Sequence, residues 1–266
     1  MPEKTVAVYL ALAPLLLVSG AACWSFILEN KFQKLKKWAL YIANASLIAA
    51  LIIATYLFFC LKSGLVWTYW QNMLYCDRSS SSLTVLICAL SLVVLQPHPN
   101  QQPTNNYTTD ISSLLFSVAG LIIASNSREL FSFIIGISTA FWPLTNLLKA
   151  SMGVSSLKDN LWLTDTMRLK IGSVCCSLYG MALIMLTTHT TTLAKLSLST
   201  EPLFIWSVLM IVIGLGGDLF VACSILHTAC KKASTSLYRI KFICIGLILT
   251  LFLFIINFVN SVMAVS

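Results

Sequence analysis

The chain contains long, uninterrupted apolar segments, and these limit its possible folds more than any other feature. A helix needs about 20 apolar residues to cross the hydrocarbon core of a bilayer. Some segments only just reach this length, the third, fourth and sixth having the shortest apolar cores. The segments are residues 6–28, 38–61, 79–96, 109–126, 130–148, 167–187, 203–226 and 242–265. Because backbone N–H and C=O groups inside a membrane must form hydrogen bonds within their own segment, each of these segments predicts one transmembrane helix.

Other architectures fit these segments poorly. A membrane β-barrel shows alternating strands of about ten residues, whereas the apolar runs here are continuous. Charged residues make up 10% of the chain, well under half of the share of roughly a quarter that soluble domains carry. This composition excludes a soluble enzyme, a disordered chain and a nucleic-acid-binding module. The prediction is an all-α polytopic membrane helix bundle of about eight helices, forming one membrane domain over residues 1–266.

The distribution of Lys and Arg predicts the orientation of this bundle. The formal net charge is +8, with 17 basic residues. Twelve of these 17 lie at one set of helix ends and five at the opposite set, alternating correctly across eight spans. Since cytoplasmic or matrix loops carry the excess of basic residues, both termini are expected on the outer side.

Cofactor and metal chemistry is not expected on this chain. It has three histidines, His98, His189 and His227, and two of them fall in loops or at span edges. The paired intramembrane ligands that a haem needs are therefore missing. Cys223, His227 and Cys230 have spacing that imitates a metal site, but a fourth ligand is not evident. The sequence also lacks a Gly-rich phosphate loop, a catalytic triad and a pair of catalytic carboxylates.

Asp218 is the one carboxylate well inside an apolar span. A charged side chain at this depth costs roughly 3 kcal/mol on insertion scales, so it must face protein, water or a cation. One interpretation is a proton or ion relay. The other is an ion pair between helices, for example with Lys241 or Arg239 of the next helix. Lys241 itself lies near the inner end of the eighth span, where its side chain is expected to extend to the membrane surface.

A glycine cluster, Gly214, Gly216 and Gly217, lies directly before Asp218. Small residues let membrane helices approach closely. Inside an apolar run, this explains the cluster better than nucleotide binding does. The cluster predicts close packing of the seventh helix against a neighbour.

Five passages, in order and with matching spacing from about residue 70 to 245, resemble one known family. They are DRSSSS with the apolar helix after it (77–95), LLFSVAG followed by ASNSREL (114–130), LYGMAL (178–183), EPL followed by MIVIGLG (201–216), and RIKF (239–242). Together they are similar to the antiporter-like membrane subunits of respiratory complex I, and most closely to NADH dehydrogenase subunit 2. The predicted outer position of the N-terminus agrees with that family.

The resemblance implies a membrane-arm subunit of NADH:ubiquinone oxidoreductase, which supports electron-transport-coupled proton translocation. It implies no redox centre on this chain, because FMN, the iron–sulfur clusters and ubiquinone are held by other subunits. The expected partners are other membrane-arm subunits and lipid, including cardiolipin at a basic inner loop. That loop carries Lys31, Lys34, Lys36 and Lys37. The expected location is the mitochondrial inner membrane, with a bacterial plasma membrane as the alternative.

The chain departs from the family at the positions that carry protons. The fifth-helix glutamate that the resemblance implies is Ser138, and the seventh-helix lysine is Asp218, a reversed charge. The sixth-helix lysine that the resemblance implies aligns near Asp165. If the alignment shifts by a few residues, Arg168 or Lys170 takes this position. The proline that breaks the family's seventh helix is missing, so this helix need not be broken.

These departures predict a subunit that is degenerate for proton pumping and mainly structural. Lys241, Arg168 and Lys170 are the charges that the chain could retain. The helices of the family from the ninth onward have no counterpart, which predicts a truncated subunit or a second polypeptide that supplies them. Two alternatives stay open: a stand-alone cation/proton antiporter, and a membrane assembly or scaffold protein.

Overall fold

A computed structural model describes residues 2–31, 36–61, 67–69, 73–95, 109–127, 129, 131–141, 157–188, 202–231 and 245–246. The helices in these ranges are α1 (Pro2–Lys31), α2 (Lys36–Cys60), α3 (Arg78–Leu95), α4 (Thr109–Ser125), α5 (Phe131–Phe141), α6 (Leu157–Thr188) and α7 (Pro202–Lys231). Two short strands, β1 (Trp67–Tyr69) and β2 (Leu74–Cys76), lie between α2 and α3.

Five of these helices are long and apolar enough to cross a membrane: α1, α2, α3, α6 and α7. The apolar parts of α4 and α5 are shorter. This confirms the predicted class, an all-α polytopic membrane bundle. The number of eight spans stays a prediction, because residues 142–148 and almost all of 242–265 lie outside the described residues. Helix α6 begins at Leu157, earlier than the apolar segment at 167, since the helix continues through polar residues beyond its apolar part.

Small residues at helical spacing set the packing of α2. Its buried apolar positions are Ala39, Ala43, Leu47, Ala50, Ala54 and Leu57, which recur every three or four residues and therefore lie on one face. Through this face α2 contacts α1 and α3. The opposite face exposes large side chains such as Ile52 and Phe59. In a soluble protein this surface would be unfavourable, whereas in a bilayer it contacts lipid.

Helix α4 is the central helix of the first part of the bundle. Ile111, Leu114, Leu115, Val118, Leu121 and Ile122 are all fully buried and lie along one face of the helix. Ser112, Ser117, Ala119 and Ala124 are buried around the rest of the helix. The neighbours of α4 include α1, α2 and α3. Burial in protein on all sides, rather than contact with lipid, explains why a short segment with several serines can form this helix.

Two glycines let α4 and α5 approach each other closely. A Cβ atom on Gly120 would lie 2.6 Å from the carbonyl oxygen of Gly136 and 2.8 Å from Cα of Ala140. A Cβ atom on Gly136 would lie 2.6 Å from the backbone nitrogen of Ala124. Since no side chain fits at either position, these two glycines fix the distance between the two helices.

The β1–β2 hairpin covers one end of this bundle and was not predicted from the sequence. The strands pair antiparallel, with Trp67 opposite Cys76. The backbone N–H of Tyr75 donates a hydrogen bond to the carbonyl oxygen of Asn126 at 2.8 Å, so the hairpin contacts the α4–α5 connection. Both connections carry basic residues that the charge distribution assigned to the outer face, and the contact agrees with that assignment.

The motif that opens α3 is a helix cap. The N–H of Ser80 donates to the Asp77 carboxylate at 2.6 Å, and the N–H of Asp77 donates to the Ser80 hydroxyl at 3.0 Å. This reciprocal capping box satisfies two backbone donors at the start of the helix. The Arg78 guanidinium lies 4.9 Å from the ring centroid of Phe58 on α2, a cation–π contact that fastens α3 to α2.

Burial in the hairpin changes the acidity of two neighbouring groups. It raises the pKa of Tyr75 to about 12, and it also raises the pKa of the Cys76 thiol. Both groups are therefore neutral near pH 7. Because the folded pKa of Tyr75 lies above its ordinary value of 10.0, its contribution to stability is complete below about pH 10 and is lost as the pH rises through about 12.

Cys76 is expected to react with water-soluble maleimide at least about tenfold more slowly than Cys60. Cys76 is 3% exposed and its raised pKa leaves little of the nucleophilic thiolate, whereas Cys60 is exposed at the end of α2. The measurement compares labelling rates of two variants, each of which keeps one of these cysteines with the others replaced by alanine. Equal rates in the folded protein would contradict the position of the hairpin.

Candidate functional site

A lysine and an aspartate form a buried ion pair between α6 and α7. Nζ of Lys170 donates a hydrogen bond to Oδ1 of Asp218 at 2.6 Å. The two side chains are only 8% and 6% exposed. Charges in such an environment require a partner with good geometry, because each one loses its hydration. The pair is therefore the most polar feature in the described interior of the bundle.

Helical periodicity places the two charges opposite each other. The buried positions of α6 include Lys170, Ser173, Ser177 and Ile184, spaced three, four and seven residues apart along one face. The facing side of α7 includes Ser207, Ile211, Gly214 and Asp218. The helices run antiparallel, so that the start of α6 lies beside the end of α7.

Glycines on α7 bring the two helices close together at this face. A Cβ atom on Gly214 would lie 2.6 Å from the carbonyl oxygen of Ser173 and would overlap the Ser177 hydroxyl. One on Gly217 would overlap the Ser173 hydroxyl. The predicted role of the glycine cluster is thus confirmed for Gly214 and Gly217. Gly216 faces away, and among the described residues nothing lies within 4 Å of a Cβ atom built on it.

An aromatic ring on α5 completes the surroundings of the lysine. Nζ of Lys170 lies 4.7 Å from the ring centroid of Phe141, a distance at which the ring face attracts a cation. Gly136 of the same helix faces α4. At about 100° per residue, Ser138 lies roughly 200° around α5 from Gly136, on the side away from α4. Its buried hydroxyl has no hydrogen-bond partner within the described part of the chain.

A second ion pair on α6 lies on a different face. Arg168 and Asp165 are 3.8 Å apart, with 77% and 72% of their side chains exposed. An exposed pair of this kind contributes little to stability. Arg168 lies only two residues from Lys170, but this is about 200° around the helix, which explains why one side chain is exposed and the other is buried.

The structure corrects one sequence-based expectation about the site. The ion-pair interpretation of Asp218 gave Lys241 or Arg239 of the next helix as example partners. In the structure the partner is Lys170 on α6, because α6 and α7 pack face to face. Lys241, Arg239 and Lys34 lie outside the described residues.

The remaining residues of the predicted basic loop occupy helix ends. Lys31 is the last residue of α1, and Lys36 and Lys37 are the first residues of α2. This arrangement places three basic residues at one end of the α1–α2 pair.

Three neighbours of the Lys170–Asp218 ion pair were not predicted from the sequence: Phe141, Ser173 and Ser177. The spacing of Lys170, Ser173 and Ser177 already indicates a shared helical face.

The described chain shares its fold with chains of two solved complexes. It is similar to a chain of the Mrp complex from Dietzia sp. DQ12-45-1b, with a TM-score of 0.71, 16% identity, and coverage of 91% of this chain and 48% of that chain. It is also similar to a chain of respiratory complex I from Thermus thermophilus, with a TM-score of 0.60, 14% identity, and coverage of 88% of this chain and 62% of that chain.

These comparisons confirm the coarser part of the resemblance, that of the fold. No protein-family profile matches the chain, and no curated protein matches it. The chain spans about half of the Mrp chain and less than two thirds of the complex I chain. The more specific similarity to subunit 2 stays a prediction.

Proposed function

We propose that the chain is a membrane-arm subunit of a complex I-type NADH:quinone oxidoreductase, closest in role to subunit 2, and that its contribution is mainly structural. The observation that carries the proposal is the shared fold over 88% of the chain, together with five matching sequence passages in the same order. The assembly would hold FMN, the iron–sulfur clusters and ubiquinone on other subunits. The proposed location is the mitochondrial inner membrane.

The chemistry of the described helices supports a structural role. Helix α5 contains no titratable side chain, and Ser138 occupies the position at which the resemblance implies a glutamate. A relay needs groups that exchange protons within hydrogen-bond or water-wire reach. Asp218 is instead bonded directly to Lys170. The pair stabilises the contact between two helices, and its two charges cancel.

The exposed apolar faces of α2 and α7 suit contacts with lipid and with other membrane subunits. Leu203, Trp206 and Phe220 on α7 are each more than half exposed. The basic ends of α1 and α2 are proposed to contact anionic lipid, cardiolipin included, since clustered lysines at a membrane face attract such headgroups.

Blue-native electrophoresis of membranes that express the tagged chain tests this proposal. We expect the tag to migrate with NADH:quinone reductase activity. Gly120→Ala should remove the tag from that band, because the substitution separates α4 from α5. Gly20→Ala is the matched control, since a Cβ atom built there has no described atom within 4 Å outside its own stretch of helix. Migration of the intact tagged chain apart from all NADH dehydrogenase activity would contradict the proposal.

A stand-alone cation/proton antiporter is the second candidate. The greater similarity to the Mrp complex chain, with a TM-score of 0.71, and the buried charge pair favour it. An assembly or scaffold protein is the remaining alternative, and it would bind the complex only transiently. The same gel separates these candidates, because an antiporter would migrate apart from NADH dehydrogenase activity and an assembly factor would appear only in subcomplexes.

A further inference from the structure

The Lys170–Asp218 pair lies much closer to one membrane face than to the other. Lys170 lies five residues from the start of the apolar span Asp165–Leu186, and Asp218 lies seven residues from the end of the span Pro202–Ile225. At 1.5 Å per residue this is about 8 Å and about 10 Å from one face. From either residue to the other face, 16 residues correspond to about 24 Å.

Between the pair and the more distant membrane face, the hydroxyl groups at the α6–α7 interface do not form a continuous polar path. The Ser173 hydroxyl donates to the carbonyl oxygen of Leu169 at 2.9 Å, and the Ser207 hydroxyl donates to that of Phe204 at 2.6 Å. Both hydroxyls are thus bound to their own helices. Further along, a Cβ atom on Gly180 would lie 2.6 Å from the carbonyl oxygen of Ser207, so backbone contact closes the interface between the helices.

One hydroxyl near the pair has no hydrogen-bond partner in the described part of the chain. It is Ser177 Oγ, two helical turns from Lys170, and the residue is 1% exposed. A buried hydroxyl without a partner is costly unless water satisfies it. Ser177 lies about 10 Å along α6 from Lys170, and the interface beyond it is closed by the Gly180 contact.

We propose that Lys170 and Asp218 form a one-sided proton-binding site. Asp218 takes up a proton from water at the membrane face where α6 begins and α7 ends, and it does not pass this proton to the opposite face. Uptake forms one O–H bond on the carboxylate, while the Lys170 ammonium keeps its three N–H bonds. The net charge of the pair changes from zero to +1, and the Phe141 ring continues to stabilise the cation.

Few other titratable groups surround the pair. Helix α5 presents none. On α6, Asp165 and Arg168 are exposed and paired with each other, and Cys175 is exposed. On α7, Cys223 and His227 are exposed. Among the described groups of these three helices, Asp218 is therefore the acid that faces Lys170. The proposal does not depend on membership of a larger complex, because it concerns only α5, α6 and α7.

Infrared difference spectroscopy of the full chain, reconstituted in one orientation in vesicles, tests the proposal. We expect acidification of the face nearer the pair to produce the band of a protonated carboxyl group, and acidification of the opposite face to leave that band unchanged. Asp218→Asn should remove the band and Asp218→Glu should shift it. Asp165→Asn is the control variant and should retain it. Lys170→Arg keeps the positive charge and should also retain the band.

Two results would overturn the proposal. The first is a carboxyl band that survives in Asp218→Asn, which would assign the proton to another residue. The second is a band that responds equally to acid on either face, which would indicate a continuous route. Both readouts use the isolated chain, so failure to assemble into a respiratory complex would refute the proposed function and leave this inference standing.

Discussion

Lys170→Met is expected to lower the free energy of unfolding by about 3–5 kcal/mol, because it leaves the buried Asp218 carboxylate without its partner. Lys170 Nζ and Asp218 Oδ1 are 2.6 Å apart and both side chains are nearly fully buried, so the carboxylate loses its close cation in a poorly hydrated site. The measurement is unfolding of the purified chain by increasing denaturing detergent, followed by tryptophan fluorescence.

The double variant Lys170→Met/Asp218→Leu is the control for this prediction. It removes both charges and fills the same space with apolar atoms, and a buried ion pair replaced in this way often causes little loss of stability. We therefore expect the double variant to recover most of the loss. A double variant as unstable as Lys170→Met would show that the destabilisation comes from packing rather than from the unpaired charge.

Gly214→Ala is expected to destabilise the chain by about 1–3 kcal/mol, the usual cost of overpacking a close contact. The added Cβ atom would lie 2.6 Å from the Ser173 carbonyl oxygen and 2.8 Å from the backbone nitrogen of Ser177. Since both atoms belong to the α6 backbone, the helices must separate, and the Lys170–Asp218 hydrogen bond should lengthen. The same detergent titration measures the effect.

Gly216→Ala provides a matched control on the same helix, two residues away. Outside its own stretch of helix, no described atom lies within 4 Å of its added Cβ atom, and alanine favours the helix over glycine by up to about 1 kcal/mol. We expect this variant to be as stable as the parent chain or slightly more stable. Equal destabilisation by the two substitutions would contradict the close approach of α6 and α7.

The sequence predicts the helices well, because length and hydropathy alone decide which segments can lie in a bilayer. It also identifies Asp218, since a carboxylate in an apolar span always needs an explanation. It does not identify Lys170 as the partner. A lysine near a span end is ordinarily interpreted as surface-exposed, and the pairing of helices depends on contacts that periodicity alone does not define.

The β1–β2 hairpin shows a different limit of sequence analysis. Each strand has three residues, too few for an alternating pattern to be recognised. The hairpin is stabilised by contacts with distant residues, such as the hydrogen bond from Tyr75 to Asn126. Local sequence therefore contains too little information to predict it. The short helix α4 was predicted despite its length, because its one charged residue, Asp110, lies at its start.

The central claim is that this fold contains no continuous proton route. Proton flux in vesicles that contain only this chain tests that claim most directly. With a cation gradient imposed across the membrane and a pH-sensitive dye inside, we predict the same proton flux as in protein-free vesicles. Asp218→Asn should not change this result. Cation-driven proton flux that disappears in Asp218→Asn would contradict the account and would favour a stand-alone antiporter.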